Sequence, residues 1–515
     1  MKPTCAFTVF FVLAITARVL AQAPLFSWPE GKKAAISLTF DDARLSNVDV
    51  GLDLFAKSGT RVTYYVNPGA MESRLEKWQK AVKAGHEIGN HTVVHPCSEN
   101  FDWARSKGLE TYNLASMRRE LLAANDAIQD MLGVTPVSFA YSCGQTYVGR
   151  GTQTQSYVPL VAELFSSGRG WLDEAPNDPL YADFAQLMGV ESDGKSFEQI
   201  KPMVDAAVKN GKWLVLAGHE IGGEAFQTTR VTMLEQVIAY INQPNSGIWL
   251  APVGEISAYV KNARQQIYQN LRDHLTFYAS FDEKVDADVA RGDQQPYFGQ
   301  NKGLPEGVIW KKEGGRRGGA LHFTRKASPP LDYSGFKNAP YAEGTSQQGT
   351  ISLWMSLDPE LDLEPGYVDP IQVTDVTYND AALWVDFSDK NPRLFRMGVF
   401  GDLQSWNPQN IDPDKNPKFN ERLVVAKDRG FGRGIWTHVV IVYKNLNSPQ
   451  GTAQFYVDGK LQGERIIPEA FTWTWEKAKI FLGLNYIGWM DEVALFDRAL
   501  TVEEVNILYR MEHKL

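Results

Sequence analysis

The hydrophobic pattern of the 515-residue chain changes character once, near residue 272, and that change constrains the fold more than any other feature. Before it, short apolar runs alternate with amphipathic stretches. Ala34–Phe40, Arg61–Val66, Val137–Tyr141 and Trp213–Ala217 are rich in apolar and β-branched residues, as strands buried on both faces must be. Between them, Val48–Lys57, Ser73–Lys83, Met117–Leu132 and Phe197–Lys209 carry helical periodicity. Gly59, Gly85, Gly133 and Gly211 follow where a left-handed residue closes a helix. Strand then helix, repeated, predicts a parallel α/β sheet or barrel with its chemistry at the strand C-termini.

Past a last helix ending near Arg272, the texture becomes all-β. Leu275–Phe281, Gly349–Leu357, Ala381–Phe387, Trp436–Tyr443, Gly451–Val457 and Lys479–Leu484 alternate or run apolar between turn signals. Asp458-Gly459 is a strong hairpin turn. The expected fold is therefore α/β plus all-β: a leader (residues 1–23), an α/β domain (24–265) and a β-sandwich (266–515).

Composition narrows the function. Net charge is −9 and no basic run offers a surface to nucleic acid or an anionic membrane. The 14 Trp and 20 Tyr suit either cores or sugar stacking. Lys2, the apolar stretch Ala6–Ala17 and the small-residue site around Ala21 or Ala23 read as a secretory signal, which places the mature protein outside the cell or in a periplasm. A membrane anchor is the alternative, but the stretch is short and Arg18 ends it. Cys97 and Cys143 then remain, as a disulfide permitted by export or as two buried thiols.

Two stretches carry the chemistry. Leu38-Thr39-Phe40-Asp41-Asp42 ends a strand with paired carboxylates, and His91-Thr92-Val93-Val94-His95-Pro96 places two histidines four apart in a turn. Together they supply one hard and two borderline ligands with a carboxylate to spare, the inventory of a catalytic divalent-metal site.

These stretches, with the lead-in Gly85-His86-Glu87-Ile88-Gly89-Asn90, resemble the polysaccharide deacetylases, the family four carbohydrate esterases with a NodB-homology domain. Leu216-Ala217-Gly218-His219 is a looser match. The resemblance covers about Lys32 to Glu255 and implies a distorted (β/α) barrel that removes N- or O-acetyl groups from a sugar polymer. It implies Asp42, His91 and His95 as metal ligands, usually for zinc, and Asp41 as general base. The leaving group then needs a proton, and His219 is the natural donor; the alternative is a histidine that only orients the substrate or supports the site from behind. Thr92 would order the metal loop.

The chain departs from the family's pattern twice. Where an Arg-Pro-Pro-Tyr-Gly motif is usual, it reads Ala140-Tyr141-Ser142-Cys143-Gly144. The arginine that would orient the base is missing, and the oxyanion-binding N–H would come from the backbone of Cys143. Arg169, where the next strand should end, is a candidate replacement; the alternative is an ordinary surface arginine. Near His219, Ala217 stands at the usual leucine position, so specificity does not transfer. Trp171 and Tyr147 are candidate groove aromatics or buried packing residues.

The C-terminal half resembles concanavalin A-like sandwiches of the laminin G type, of jelly-roll architecture. Phe277–Asp282, Ile351–Trp354, Trp436–Val440, Gln454–Gly459 and Gly488–Leu500 carry this likeness. It implies glycan binding or adhesion, with Asp282 and Asp491 as candidate residues beside a structural calcium; as turn and capping residues they need no metal. The leading expectation is a secreted metal-dependent deacetylase of an acetylated polysaccharide, with an accessory glycan-binding domain. Hydrolysis of a non-acetyl amide or ester, or a catalytically silent glycan binder, are the alternatives.

Overall fold

The computed structural model describes residues 24–427, 430–511 and 513–515; the expected leader 1–23 lies outside the described residues. Eight parallel strands build the first domain: β1 (Ala34–Phe40), β2 (Thr63–Val66), β3 (Glu87–Asn90), β4 (Ser138–Ala140), β5 (Ser167–Arg169), β6 (Val190–Glu191), β7 (Trp213–Gly218) and β8 (Ile248–Leu250). Their order is β5-β4-β3-β2-β1-β7-β6, with β8 also against β1. Strand β1 is buried along its whole length. It pairs with β7 from Ala35↔Trp213 to Phe40↔Gly218. Its other edge is shared, with β8 beside Ala34–Ile36 and β2 beside Thr39–Phe40. This splits the sheet and lets it curl. Arg169 bridges Leu187 while Val190 pairs Leu216, so the segment 187–191 reaches both outer edges and the sheet becomes a distorted (β/α) barrel.

Helix ends match their sequence signals. Leu114–Leu132 begins with a capping box between Asn113 and Ser116, and Phe197–Asn210 with one between Ser196 and Gln199. Gly133 and Gly211 close these helices at φ 72° and 67°. Strands β3, β5 and β6 span four residues or fewer, too short for periodicity to reveal.

The second domain is a two-sheet antiparallel sandwich. One sheet centres on Gln347–Ser356 between Gly488–Phe496 and Thr437–Leu446. The other runs through Leu331–Ser334, Lys479–Leu484, Val368–Thr374, Ala382–Phe387, Phe395–Phe400 and Leu423–Val425. Ile351, Leu353, Val385, Met397, Ile441 and Leu482 meet between them. Asp458 and Gly459 turn the hairpin with φ 49° and 75°, the two positive values a tight primed turn requires.

The expected division between residues 265 and 266 falls inside one helix, Val253–Asp273. Its first half packs Val253, Ile256 and Val260 with Trp213 and Ala35 of the barrel. Its second half packs Ile267 and Leu271 with Leu275, Tyr278, Phe496 and Leu508 of the sandwich. Among the described residues no helix is long and apolar enough to cross a membrane.

Candidate active site

Parallel strands deliver their C-terminal ends to one mouth, and the chemistry-bearing residues follow from that. Asp41 and Asp42 come directly after β1, His91 after β3, Cys143 after β4 and His219 after β7, while Arg169 ends β5. Apart from the buried Arg169, they line one cleft of about 1030 Å³. The chain reaches these positions through backbone that non-glycine residues rarely adopt: φ is 71° at Asp42, 66° at Thr92, 53° at His95 and 54° at Cys143.

Asp42, His91 and His95 form a compact donor set. Asp42 Oδ1 lies 3.4 Å from His91 Nε2 and 3.4 Å from His95 Nε2. Donors held about 2.0–2.1 Å from a tetrahedral ion are separated by roughly 3.3–3.4 Å, so the set fits a zinc-sized cation. The tautomer fits too. His91 Nδ1 donates to the Ala140 carbonyl at 2.8 Å, which leaves Nε2 as the acceptor facing Asp42. Asp42 Oδ2 accepts from Arg44 Nη2 at 2.8 Å, which fixes the carboxylate plane. Burial opposes ionisation of Asp42, but contact with the His91, His95 and His219 imidazoles outweighs it and holds its pKa below the usual range, the direction a cation seated between them would reinforce. Burial, then the neighbouring His91, lowers His95 to about 4, so it is neutral and ligand-competent near pH 7.

Thr92 orders this loop. Its Oγ1 accepts the His95 N–H at 3.0 Å, and its own N–H donates to Asn90 Oδ1 at 2.7 Å. Asn67 Nδ2 holds the loop from β2, donating to the carbonyls of His91 and Thr92. Cys97 and Cys143 close a disulfide that ties the histidine loop to the loop after β4, which decides between the two cysteine readings.

Asp41 is 3% exposed and pairs with Arg169, which is fully buried. Arg169 Nη2 donates to Asp41 Oδ1, and Nη1 to the Gly170 carbonyl at 2.7 Å. The guanidinium lies 4.9 Å over the Tyr65 ring. Gly189 makes room for its stem, since a Cβ there would meet Arg169 Cδ at 2.5 Å. The structure thus places Arg169 on the carboxylate that lacks an arginine at Ala140. The surface-arginine alternative is excluded by its burial.

His219 has a partner that sequence reasoning missed. Its Nδ1 donates to Asp193 Oδ2 at 2.7 Å, and its backbone N–H to Asp193 Oδ1 at 3.1 Å. Thr229 Oγ1 donates to Asp193 Oδ1 at 2.7 Å. Burial alone would lower the His219 pKa, but the Asp193 bond and the charges of Asp41, Asp193 and Asp42 raise it. The signal was there in Ser192-Asp193-Gly194, a polar turn directly after β6.

Trp171 lines the cleft and meets the His219 ring edge-on at 4.8 Å. Tyr147 does not reach it; it packs with Tyr157 and Val148 behind β4. The cleft rim instead carries Phe101, Trp103, Leu172 and Phe226, exposed by 43, 54, 60 and 88%. Phe101 and Trp103 stack at 5.6 Å, beside His95. Asp282 and Asp491 lie in neither of the two close groups of metal-capable donors among the described residues. Their carboxylates accept backbone N–H groups, of Gly319 and of Arg317 and Glu492.

Residues 29–155 match the family model of polysaccharide deacetylase, and residues 333–506 that of the concanavalin A-like lectin/glucanases superfamily. A gellan lyase of a Bacillus species is 28% identical over 171 residues, which are 33% of this chain and only 6% of the lyase. Among solved structures, peptidoglycan deacetylase PdaC of Bacillus subtilis is 17% identical, with TM-score 0.30, over 47% of this chain and 97% of that one. Domain 4 of the extracellular arabinanase AbnA of Geobacillus stearothermophilus, in complex with arabinotriose, is 17% identical, with TM-score 0.30, over 46% and 98%.

Proposed function

The chain carries a polysaccharide deacetylase domain followed by a concanavalin A-like domain, and from that premise we propose that it is an exported, metal-dependent hydrolase that removes acetyl groups from an extracellular polysaccharide. One observation carries this reading: a metal-sized donor set, a carboxylate braced by a buried arginine and a carboxylate-paired histidine share one cleft. Asp42, His91 and His95 would hold the metal, with zinc the ion their donor chemistry suits best. When bound, it lowers the pKa of water and polarises a carbonyl.

The remaining chemistry belongs to the chain. Asp41 is the general base: Arg169 occupies Oδ1, and Oδ2 receives no hydrogen bond from the described residues, which leaves it to take the proton of the attacking water. The Cys143 N–H, on a backbone held left-handed, faces no protein acceptor among the described residues and serves the developing oxyanion. His219, whose proton affinity Asp193 raises against the effect of burial, delivers a proton to the departing amine or hydroxyl. Phe101 and Trp103 offer apolar faces to sugar rings flanking the acetylated residue. The signal-like pattern of residues 1–23, a basic start followed by an apolar stretch and a small-residue site, supports export.

The test is acetate release from acetylated xylan, chitin oligomers, peptidoglycan and gellan, with zinc-loaded protein, chelated protein and Asp41→Asn. Release that chelator and Asp41→Asn both abolish is expected. Absence of acetate from every substrate would overturn the reading.

A further inference from the structure

The sandwich holds a second polar cavity on the opposite side of a sheet from its core. Val368, Ile371, Val385, Phe387, Phe395 and Met397 point into the core. Alternation along the strands therefore sends Asp386 and Arg396 to the outer face. The segment 401–422 folds over part of that face, where Trp406, Phe419 and Leu423 pack on Ala382, Trp384 and Phe400. Beside this cover remains a cavity of about 410 Å³, lined by Tyr367, Asp369, Tyr378, Asp386, Arg396 and Phe419 among others.

Its floor is polar yet electrically balanced. Asp386 and Arg396 stand opposite each other in register and are 3% and 8% exposed. Arg396 donates through Nε to Asp386 Oδ1 at 2.9 Å and through Nη2 to Oδ2, so each charge cancels the other. Asp369 lies beside them, and its carboxyl receives no hydrogen bond from the described residues. Burial, then the charge of Asp386, pushes Asp369 toward its neutral form. A neutral carboxyl both donates and accepts, as a sugar hydroxyl does. No close group of metal-capable donors forms here among the described residues.

The walls are built for a flat partner. Tyr367 and Tyr378, 45% and 38% exposed, stand at the mouth, and the Arg396 guanidinium lies 5.4 Å from the Tyr367 ring. Trp384 lies flat over Gly398, where a Cβ would meet the indole at 2.2 Å, and its Nε1 donates to the Tyr378 carbonyl at 2.6 Å. That bond anchors the Tyr378 backbone at the rim.

We propose that this cavity is the glycan site of the C-terminal domain, and that it takes an uncharged sugar unit whose hydroxyls bond Asp369 and the Asp386–Arg396 pair between the two tyrosines. The volume lies in the range of about 300–1,000 Å³ usual for small-ligand sites. Among the described residues, the one cation lining this cavity is Arg396, which Asp386 already pairs, so acidic polymers are discriminated against. The proposal rests on reading the second domain as a glycan binder, and is independent of catalysis in the first.

The test is calorimetric titration of the full-length protein with xylohexaose, arabinohexaose and cellohexaose, and with a galacturonate oligomer of the same length. Binding of at least one neutral hexamer is expected, and Asp369→Leu should weaken it about 10-fold, the loss typical of a buried ligand hydrogen bond. Tyr378→Ala, measured beside a thermal melt, should also weaken it, and it decides the matter if Asp369→Leu alters folding. No binding by any neutral hexamer, preference for the galacturonate, or full affinity in both variants would overturn the proposal. Acetate release from a small acetylated monosaccharide, which engages the barrel alone, is measured on the same variants and should not change. Failure of that reaction in wild type would strike the catalytic reading and leave the hexamer result standing.

Discussion

Arg169 is the residue on which this site depends most unusually, and its removal makes a quantitative test. The Arg169 and Asp41 side chains are 0% and 4% exposed, and the guanidinium is enclosed by Tyr65, Gly170 and Gly189. Replacing Arg169 by Met keeps most of the volume but strands the Asp41 carboxylate among buried groups. Breaking a buried pair from one side costs about 3–5 kcal/mol. For a domain of this size, that corresponds to a melting temperature roughly 6–20 °C lower. Catalysis should fall as well, because an unbraced carboxylate no longer holds one oxygen toward the water. The double variant Asp41→Leu/Arg169→Met removes both charges and should recover most of the stability with none of the activity. Thermal melts and acetate release on the four proteins of this cycle separate the two effects. If Arg169→Met melts and turns over as wild type does, the pair neither stabilises the fold nor orients the base, and the reasoning fails.

Asp193→Asn should lower kcat/KM by about 10- to 150-fold, the range for losing a hydrogen bond to a charged group of about 1.5–3 kcal/mol. Because Asp193 helps raise the His219 pKa and the protonated form is the donor, the alkaline limb of the pH–rate profile should move to lower pH; an unmoved limb would refute the assignment. His91→Ala should reduce bound zinc, read by elemental analysis, to well below one equivalent, whereas Thr92→Val should retain the metal but bind it more weakly. Trp103→Ala should raise KM on polymer and leave turnover of an acetylated monosaccharide near wild type, since the ring stands more than half exposed at the cleft rim.

Legibility in the sequence followed distance along the chain. Asp41 and Asp42 adjoin a long apolar strand, and His91 and His95 sit within one turn, so local spacing announced both. Arg169 was readable only by position, because an arginine at the end of a three-residue strand has no periodicity around it. Asp193 left only a weak signal: Ser192-Asp193-Gly194 is a polar turn after a two-residue strand, ordinary turn chemistry until the fold of β6 brings it to His219. Phe101 and Trp103 resembled core aromatics because sequence carries hydrophobicity and not exposure. Asp369, Asp386 and Arg396 escaped notice for a related reason. Each looks like a solvent-side residue of an alternating strand, and only the fold of segment 401–422 across the sheet turns their face into a cavity.

The helix Val253–Asp273 has a consequence for how the two domains share a polymer. One residue, His274, separates it from strand Leu275–Ala279, and its sides are packed against both cores. Nothing in it behaves as a tether. A flexible linker would let one domain search a sphere around the other, so that the cut could fall anywhere within reach. A shared helix works instead as a caliper. The glycan held by the sandwich and the residue deacetylated by the barrel would be set apart by a fixed number of sugar units, and acetate would leave the polymer in a spaced pattern. Inserting a Gly-Ser run at His274 should keep both activities and erase that spacing, read by sequencing the partially deacetylated product.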